Sequence, residues 1–150
     1  MPNRHVHHRA GAVAGLAYAT CRAWDQPGPY ILMEATGGLV GGVAGGLLPD
    51  CIDTPCSPRH RAAAHSVSIT GTVGSLLNDQ LPAWQATLRD NAYHYAQLRA
   101  SSPSLLPQIG YGLLEFLFRF LAGALAGLLA GYVSHLALDS LTPSSLPILC

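Results

Sequence analysis

Apolar residues occur in this chain as long blocks punctuated by glycine, and the polar residues fall mostly between the blocks. Block lengths of 15 residues and more exceed those of strands and predict helices. Residues 9–24 read as a small-residue helix closed by the Gln26-Pro27-Gly28-Pro29 turn. Residues 30–48 form a second helix carrying glycine pairs at 37/38, 41/42 and 45/46. Residues 49–60, with three prolines and two aspartates, read as a loop. Helices are expected over 61–78 and over the more polar, aromatic 81–100, which suits an outer or membrane-interface position. A Ser/Pro linker at 101–107 leads to a long apolar helix over 108–140, stopped by the proline-containing tail. The expected fold is all-α: one domain over residues 1–150, a compact bundle of about five helices, several of them glycine-rich and transmembrane or membrane-associated.

Glycine spacing predicts how two of these helices meet. Each Gly in a water-exposed helix costs up to about 1 kcal/mol relative to Ala, but glycines every four residues clear a strip that lets another helix approach closely. Gly123, Gly127 and Gly131 form such a strip, and His135 and Asp139 continue the same spacing. Each step turns about 40° on an α-helix, so neighbours in the series share a face. Packing this strip on the glycines of 37–46 would carry His135 and Asp139 toward residues 49–65. From Phe120 to Leu138 only His135 ionises near neutrality, a length about sufficient to span the hydrocarbon layer. Glu115 and Arg119 stand as an i,i+4 pair near its start.

Composition narrows the class. Only 11% of the 150 residues are charged, net charge is zero, and mean hydropathy is +0.28. All eight cations are arginine, and no basic field marks a nucleic-acid partner. The first helix has a basic start and an Ala17-Tyr18-Ala19 segment like a signal-peptide cleavage site, but its short, glycine-interrupted run reads as a retained helix. The four cysteines contain no CxxC pair and read as free thiols, with Cys51–Cys56 the one spacing that would allow a loop disulfide.

The candidate chemistry lies in two polar cassettes at the ends of apolar blocks: Leu47-Leu48-Pro49-Asp50-Cys51-Ile52-Asp53 leading to His60-Arg61-Ala62-Ala63-Ala64-His65-Ser66, and Ser134-His135-Leu136-Ala137-Leu138-Asp139. Histidine and aspartate are costly in such settings unless paired or ligated. His135 and Asp139 can project to one ion, or Asp139 can orient His135 as a hydrogen-bond acceptor. Asp50 and Asp53 fit ligands, a general base, or plain loop and cap charges. His60 and His65 would point about 140° apart on one continuous helix, so His60 is placed ahead of the helix. Arg61 suits an anionic substrate group or a solvated surface. His94, between two tyrosines, and His5 match no motif, and Cys51 reads as a packing residue. Mixed imidazole and carboxylate donors suit Zn²⁺ first, with Mn²⁺ or Fe²⁺ as alternatives, and a two-metal site with a bridging hydroxide is compatible with the count.

In order and spacing, Leu-Pro-Asp, His-Arg-x-x-x-His-Ser and Ser-His-Leu-x-Leu-Asp-x-Leu-Thr-Pro-x-Ser-Leu-Pro resemble the YdjM-type family of membrane-bound, metal-dependent hydrolase-like proteins. That family is held to be distantly similar to zinc-dependent phospholipase C and S1/P1 nucleases. The resemblance implies a bacterial inner-membrane protein whose metal set comprises Asp50, His60, His65, His135 and Asp139, completed by His7 or His8. This chain departs from the pattern where Cys51-Ile52 separates two acids that many members carry as Pro-Asp-Ile-Asp, and where Ala62 and Ala64 replace a usual Gly and Thr.

The expected function is metal-dependent hydrolysis, with a membrane lipid or small-molecule phosphoester as substrate, Asp53 or Asp50 as general base and Arg61 neutralising the anion. The alternative is a non-enzymatic membrane or assembly subunit, self-associating through its glycine-rich helices, in which the His/Asp set is a structural metal site or a polar network.

Overall fold

The computed structural model describes residues 4–52 and 67–141, all organised around four helices: α1 (Arg4–Arg22), α2 (Gly28–Ile52), α3 (Val67–Ser101) and α4 (Leu105–Ser140). They run up, down, up, down. α1 is antiparallel to α2, as Gly11 meets Gly42 and Gly15 meets Gly38. α2 and α4 are parallel, with Glu34, Gly38 and Gly42 set against Gly123, Gly127 and Gly131. α3 carries the chain back between these two parallel helices. α2 and α4 are each long and apolar enough to cross a membrane.

The glycine pairs of α2 have a simple cause. The first member of each pair faces α4 and the second faces α1. A Cβ at Gly37, Gly41 or Gly45 would collide with the backbone of Phe120, Ala124 or Leu128. A Cβ at Gly38, Gly42 or Gly46 would press instead on Gly15 and Ala19, on Gly11, or on His7. α2 therefore needs two adjacent smooth strips, because it is held between two helices at backbone contact distance. The strip-on-strip packing expected from the sequence is present, and every one of these glycines is used inside the bundle.

Where two helices were expected over 61–78 and 81–100, α3 is continuous through Pro82. Pro82 cannot donate to the carbonyl of Asn78 and ordinarily breaks a helix. Here its neighbours Leu81 (2% exposed) and Gln85 (0%) are buried, and Gln85 Nε2 donates to the Ala122 carbonyl at 3.0 Å, so packing on α4 holds both sides of the break in line. α2 likewise continues through Pro49 to Ile52, which places Asp50 on a helix and not in the expected loop.

About 18 Å along α2 from Gly46, a second polar layer crosses the bundle. The Glu34 carboxylate, 0% exposed, accepts from Arg89 Nε at 2.9 Å and Arg89 Nη2 at 2.7 Å. It also lies 3.4 Å from Arg119 Nη1, while Arg119 donates to Gln26 and stacks on the Tyr30 ring. Arg89 also donates to the Arg22 carbonyl, so its fork ties α3 to α1 and α2, and Arg119 adds α4 to the layer. Glu115 does not take Arg119 as its i,i+4 partner; it pairs with Arg99 of α3 at 3.1 Å.

Two stability outcomes follow. Gly42→Ala drives a methyl into the Gly11 backbone and should cost at least the 1–3 kcal/mol of core overpacking, whereas Gly110→Ala, which meets nothing within 4 Å, should gain up to about 1 kcal/mol of helix propensity; thermal unfolding followed by circular dichroism reads both. Glu34→Ala strands two arginines and should cost about 3–5 kcal/mol, measured by the same melt.

Candidate metal centre

The site lies where α1 begins and α2 and α4 end. Two helix C-termini carry partial negative charge there against one N-terminus, a balance that favours a cation. His7 sits in the opening turns of α1, one glycine-spaced step before Gly11. Asp50 lies in the last turn of α2, and His135 and Asp139 lie in the closing turns of α4.

His135 is completely buried, and its orientation is fixed by the α2 backbone. Its Nδ1 is 2.6 Å from the Gly46 carbonyl. A carbonyl only accepts, so Nδ1 carries a proton, and in the neutral imidazole it is Nε2 that offers a lone pair. Gly46 has no side chain to cover that carbonyl. Pro49 leaves the neighbouring Gly45 carbonyl without its i+4 donor, and a proline there loosens this stretch of the ladder. Donation of one ring N–H to a backbone carbonyl is the usual way a metal-ligating histidine is oriented.

Around that lone pair the acids and the second imidazole gather. His135 Nε2 is 3.4 Å from Asp139 Oδ2 and 3.6 Å from Asp50 Oδ1, and His7 Nε2 is 3.5 Å from Asp139 Oδ1. The His7 and His135 rings stack with centroids 4.0 Å apart and planes tilted by 25°. One donor atom each from His7, His135 and Asp139 fits within a 4.8 Å sphere of mutual distances. Each pair separation exceeds the 2.7–3.2 Å of an N–H···O bond. Two donors held about 2.1 Å from one ion at the tetrahedral angle stand about 3.4 Å apart. The donor set therefore has the spacing of atoms sharing a cation. The side chains of His7, Asp139 and His135 are at most 5% exposed, while that of Asp50 is 33% exposed and forms the open edge.

The chain belongs to the YdjM inner membrane protein family. The family model matches residues 1–150, and searches of curated proteins and of solved structures return no match. Membership agrees with the surface: Val13, Leu32, Val40, Leu113 and Val133 of α1, α2 and α4 are between 50% and 69% exposed. Exposed apolar residues of this kind suit an inner membrane protein, and the His/Asp cluster lies near one end of the two helices long and apolar enough to cross a membrane, with Asp50 at its exposed edge.

Of the residues singled out in the sequence, His7, Asp50, His135 and Asp139 come together in this way. His8 is not in this cluster among the described residues, and its ring meets that of His5 edge-on at 6.1 Å. Asp53, His60, Arg61 and His65, like Cys56, lie outside the described residues. Cys21 and Cys51 are exposed free thiols, and His94 stacks edge-on against Tyr95 away from the cluster. The Glu34–Arg89–Arg119 layer was missed from the sequence, although a lone glutamate inside the apolar run of α2 is itself the signal for such a network.

Proposed function

We propose that this membrane protein is a divalent-metal-dependent hydrolase, with Zn²⁺ the best-matched ion and a phosphoester the best-matched substrate class. The observation that carries the proposal is the 3.4–3.6 Å spacing of His7, His135, Asp139 and Asp50 donor atoms around a histidine already oriented by a backbone carbonyl. His7, His135 and Asp139 are the holding set: neutral imidazole and carboxylate donors on rigid helices. When bound, such an ion lowers the pKa of its water toward neutrality and polarises a scissile oxygen. Asp50, at the exposed edge and opposite His135 Nε2, can accept a proton from that direction. Asp53, His60, Arg61 and His65 follow Asp50 in the segment joining α2 to α3. On the family pattern the two histidines extend the metal set, Arg61 meets the substrate anion, and Asp53 is an alternative base.

A second reading has a specific observation behind it: His7, His135 and Asp139 are nearly inaccessible, as in a closed structural metal site. In that case the protein is a non-enzymatic membrane subunit whose cation pins the ends of three helices.

Purified protein in detergent should retain close to stoichiometric zinc after dialysis, and His7→Ala and His135→Ala should each lose it, read by elemental analysis. Undiminished zinc in both variants contradicts either reading. Gly46→Ala places a Cβ 2.9 Å from the His7 carbonyl, displacing that ligand without touching a donor atom; zinc affinity should fall about 10–100-fold, as for other changes outside the ligand shell. The two readings separate on chromogenic phosphomonoesters and phosphodiesters. The hydrolase reading expects chelator-sensitive turnover that Asp50→Asn lowers by about 10²–10⁴-fold with zinc retained, and the structural reading expects bound zinc with no turnover.

A further inference from the structure

A groove beside the candidate metal centre takes no part in the contacts described above. Its volume is about 420 Å³, and its walls are Ala14 and Tyr18 of α1, Leu129, Ala130 and Val133 of α4, and Gly74 of α3. The lining is almost wholly apolar. α3 stands off from its neighbours here, since a Cβ at Gly74 would meet nothing within 4 Å. Val133 is 50% exposed, so the groove opens outward. At one end the Tyr18 hydroxyl donates to Asn78 at 2.8 Å. The other end runs toward the His/Asp cluster. Ala14 and His7 are seven residues apart on one face of α1, about 10 Å, and Ser134 at the groove's edge immediately precedes His135.

Depth singles out the same end of the bundle. Tyr30 and Asp50 are twenty residues apart on α2, about 30 Å, which is the thickness of a bilayer's hydrocarbon layer. Aromatic side chains gather at the Tyr30 end. Trp24 and Tyr93 are exposed there, and Tyr95 stacks on Phe118, next in sequence to the Arg119 that lies over the Tyr30 ring. Tryptophan and tyrosine concentrate at membrane–water boundaries. Placing one boundary at Tyr30 puts the opposite one at Asp50. The cluster then stands at the level of lipid headgroups, and the groove lies on its hydrocarbon side.

We propose that the groove holds an acyl chain of a membrane lipid whose phosphoester headgroup lies at the His7, His135 and Asp139 cluster. The proposal rests on the hydrolase reading above and names its substrate as a lipid. A phospholipid in a leaflet carries its phosphate just outside the hydrocarbon and its chains inward. Cluster and groove follow one another along α1 and α4 in that same order, whereas a water-soluble ester needs no apolar channel beside the cluster. Hydrolysis breaks one P–O bond of the headgroup: the hydroxyl of water joins phosphorus, and its remaining proton goes to the departing alcohol oxygen.

The test compares methyl and dodecyl 4-nitrophenyl phosphate on the zinc-loaded full chain in detergent. The two esters share headgroup and leaving group and differ only in the chain. In the wild type, kcat/KM for the dodecyl ester should exceed that for the methyl ester by about 10²-fold, the scale set by holding a reacting group in place. Ala130→Phe and Gly74→Phe fill the groove from different walls, and each should lower that ratio by about tenfold or more. Ala17→Phe, at an exposed position of α1, should keep it. Because Gly74 has open space around it, its variant tests the groove even where Ala130→Phe fails to fold. A second readout needs no turnover: in nanodiscs, phosphatidic acid with a diazirine in its acyl chain should label residues 129–134 on illumination, and both Phe variants should lose that label. Equal turnover of the two esters by the wild type, a ratio that both variants leave unchanged, or labelling that survives both, overturns the proposal and leaves the hydrolase reading standing. Bound zinc with neither ester hydrolysed overturns the hydrolase reading and the lipid substrate with it.

Discussion

Backbone-to-backbone contact between α2 and its two neighbours governs the rest of the molecule. With hydrogen in place of Cβ at three successive glycine pairs, α2 can lie against α1 on one side and α4 on the other. Close approach of this kind is stabilised by dispersion and Cα–H···O contacts, which do not depend on water and therefore persist in a bilayer. It also fixes register. A one-residue slip would set a side chain against a carbonyl, so the stagger that pairs Gly42 with Gly131 also sets His135 against Gly46 and His7 beside both. The candidate metal centre is the end of a glycine zipper, and its geometry is inherited from contacts up to three helical turns away.

Two polar layers divide the labour within that frame. The Glu34 layer satisfies a buried carboxylate with bidentate arginine, the planar fork best suited to the task, and links α3 to α2. The His/Asp layer at the other end gathers lone pairs and carboxylate oxygens at separations too long for hydrogen bonds and right for a shared cation. The first layer closes on itself with protein cations. The second brings imidazole and carboxylate groups to one place, a donor set that could hold a cation. Between them the outer surfaces of α1, α2 and α4 are apolar, and only α3 breaks the pattern.

Much of this was legible in the sequence, for physical reasons that also mark its limit. The four-residue spacing of Gly123, Gly127, Gly131, His135 and Asp139 defines one helix face, and close packing on the glycines of α2 then had to bring the end of α2, with Asp50, to His135. Periodicity names a face but not a neighbour, so the division of each glycine pair between α1 and α4 was invisible. Pro82 and Pro49 are breakers by local rules, and the burial of Leu81, Gln85 and Pro49 that overrides them is tertiary. The Glu115–Arg119 pair, worth about 0.2–0.5 kcal/mol on an isolated helix, gave way to buried partners on other helices. His7 and His8 are equivalent in composition, and only the phase set by Gly11 and Gly15 separates them.

Anomalous diffraction at the zinc edge, from crystals of the full chain grown with zinc, tests the central claim most directly. The account predicts a peak about 2.0–2.2 Å from Nε2 of His7, Nε2 of His135 and an oxygen of Asp139, with Asp50 at its open side. A peak bound elsewhere, or no peak and a direct hydrogen bond of about 2.8 Å between His135 Nε2 and Asp139, would contradict it.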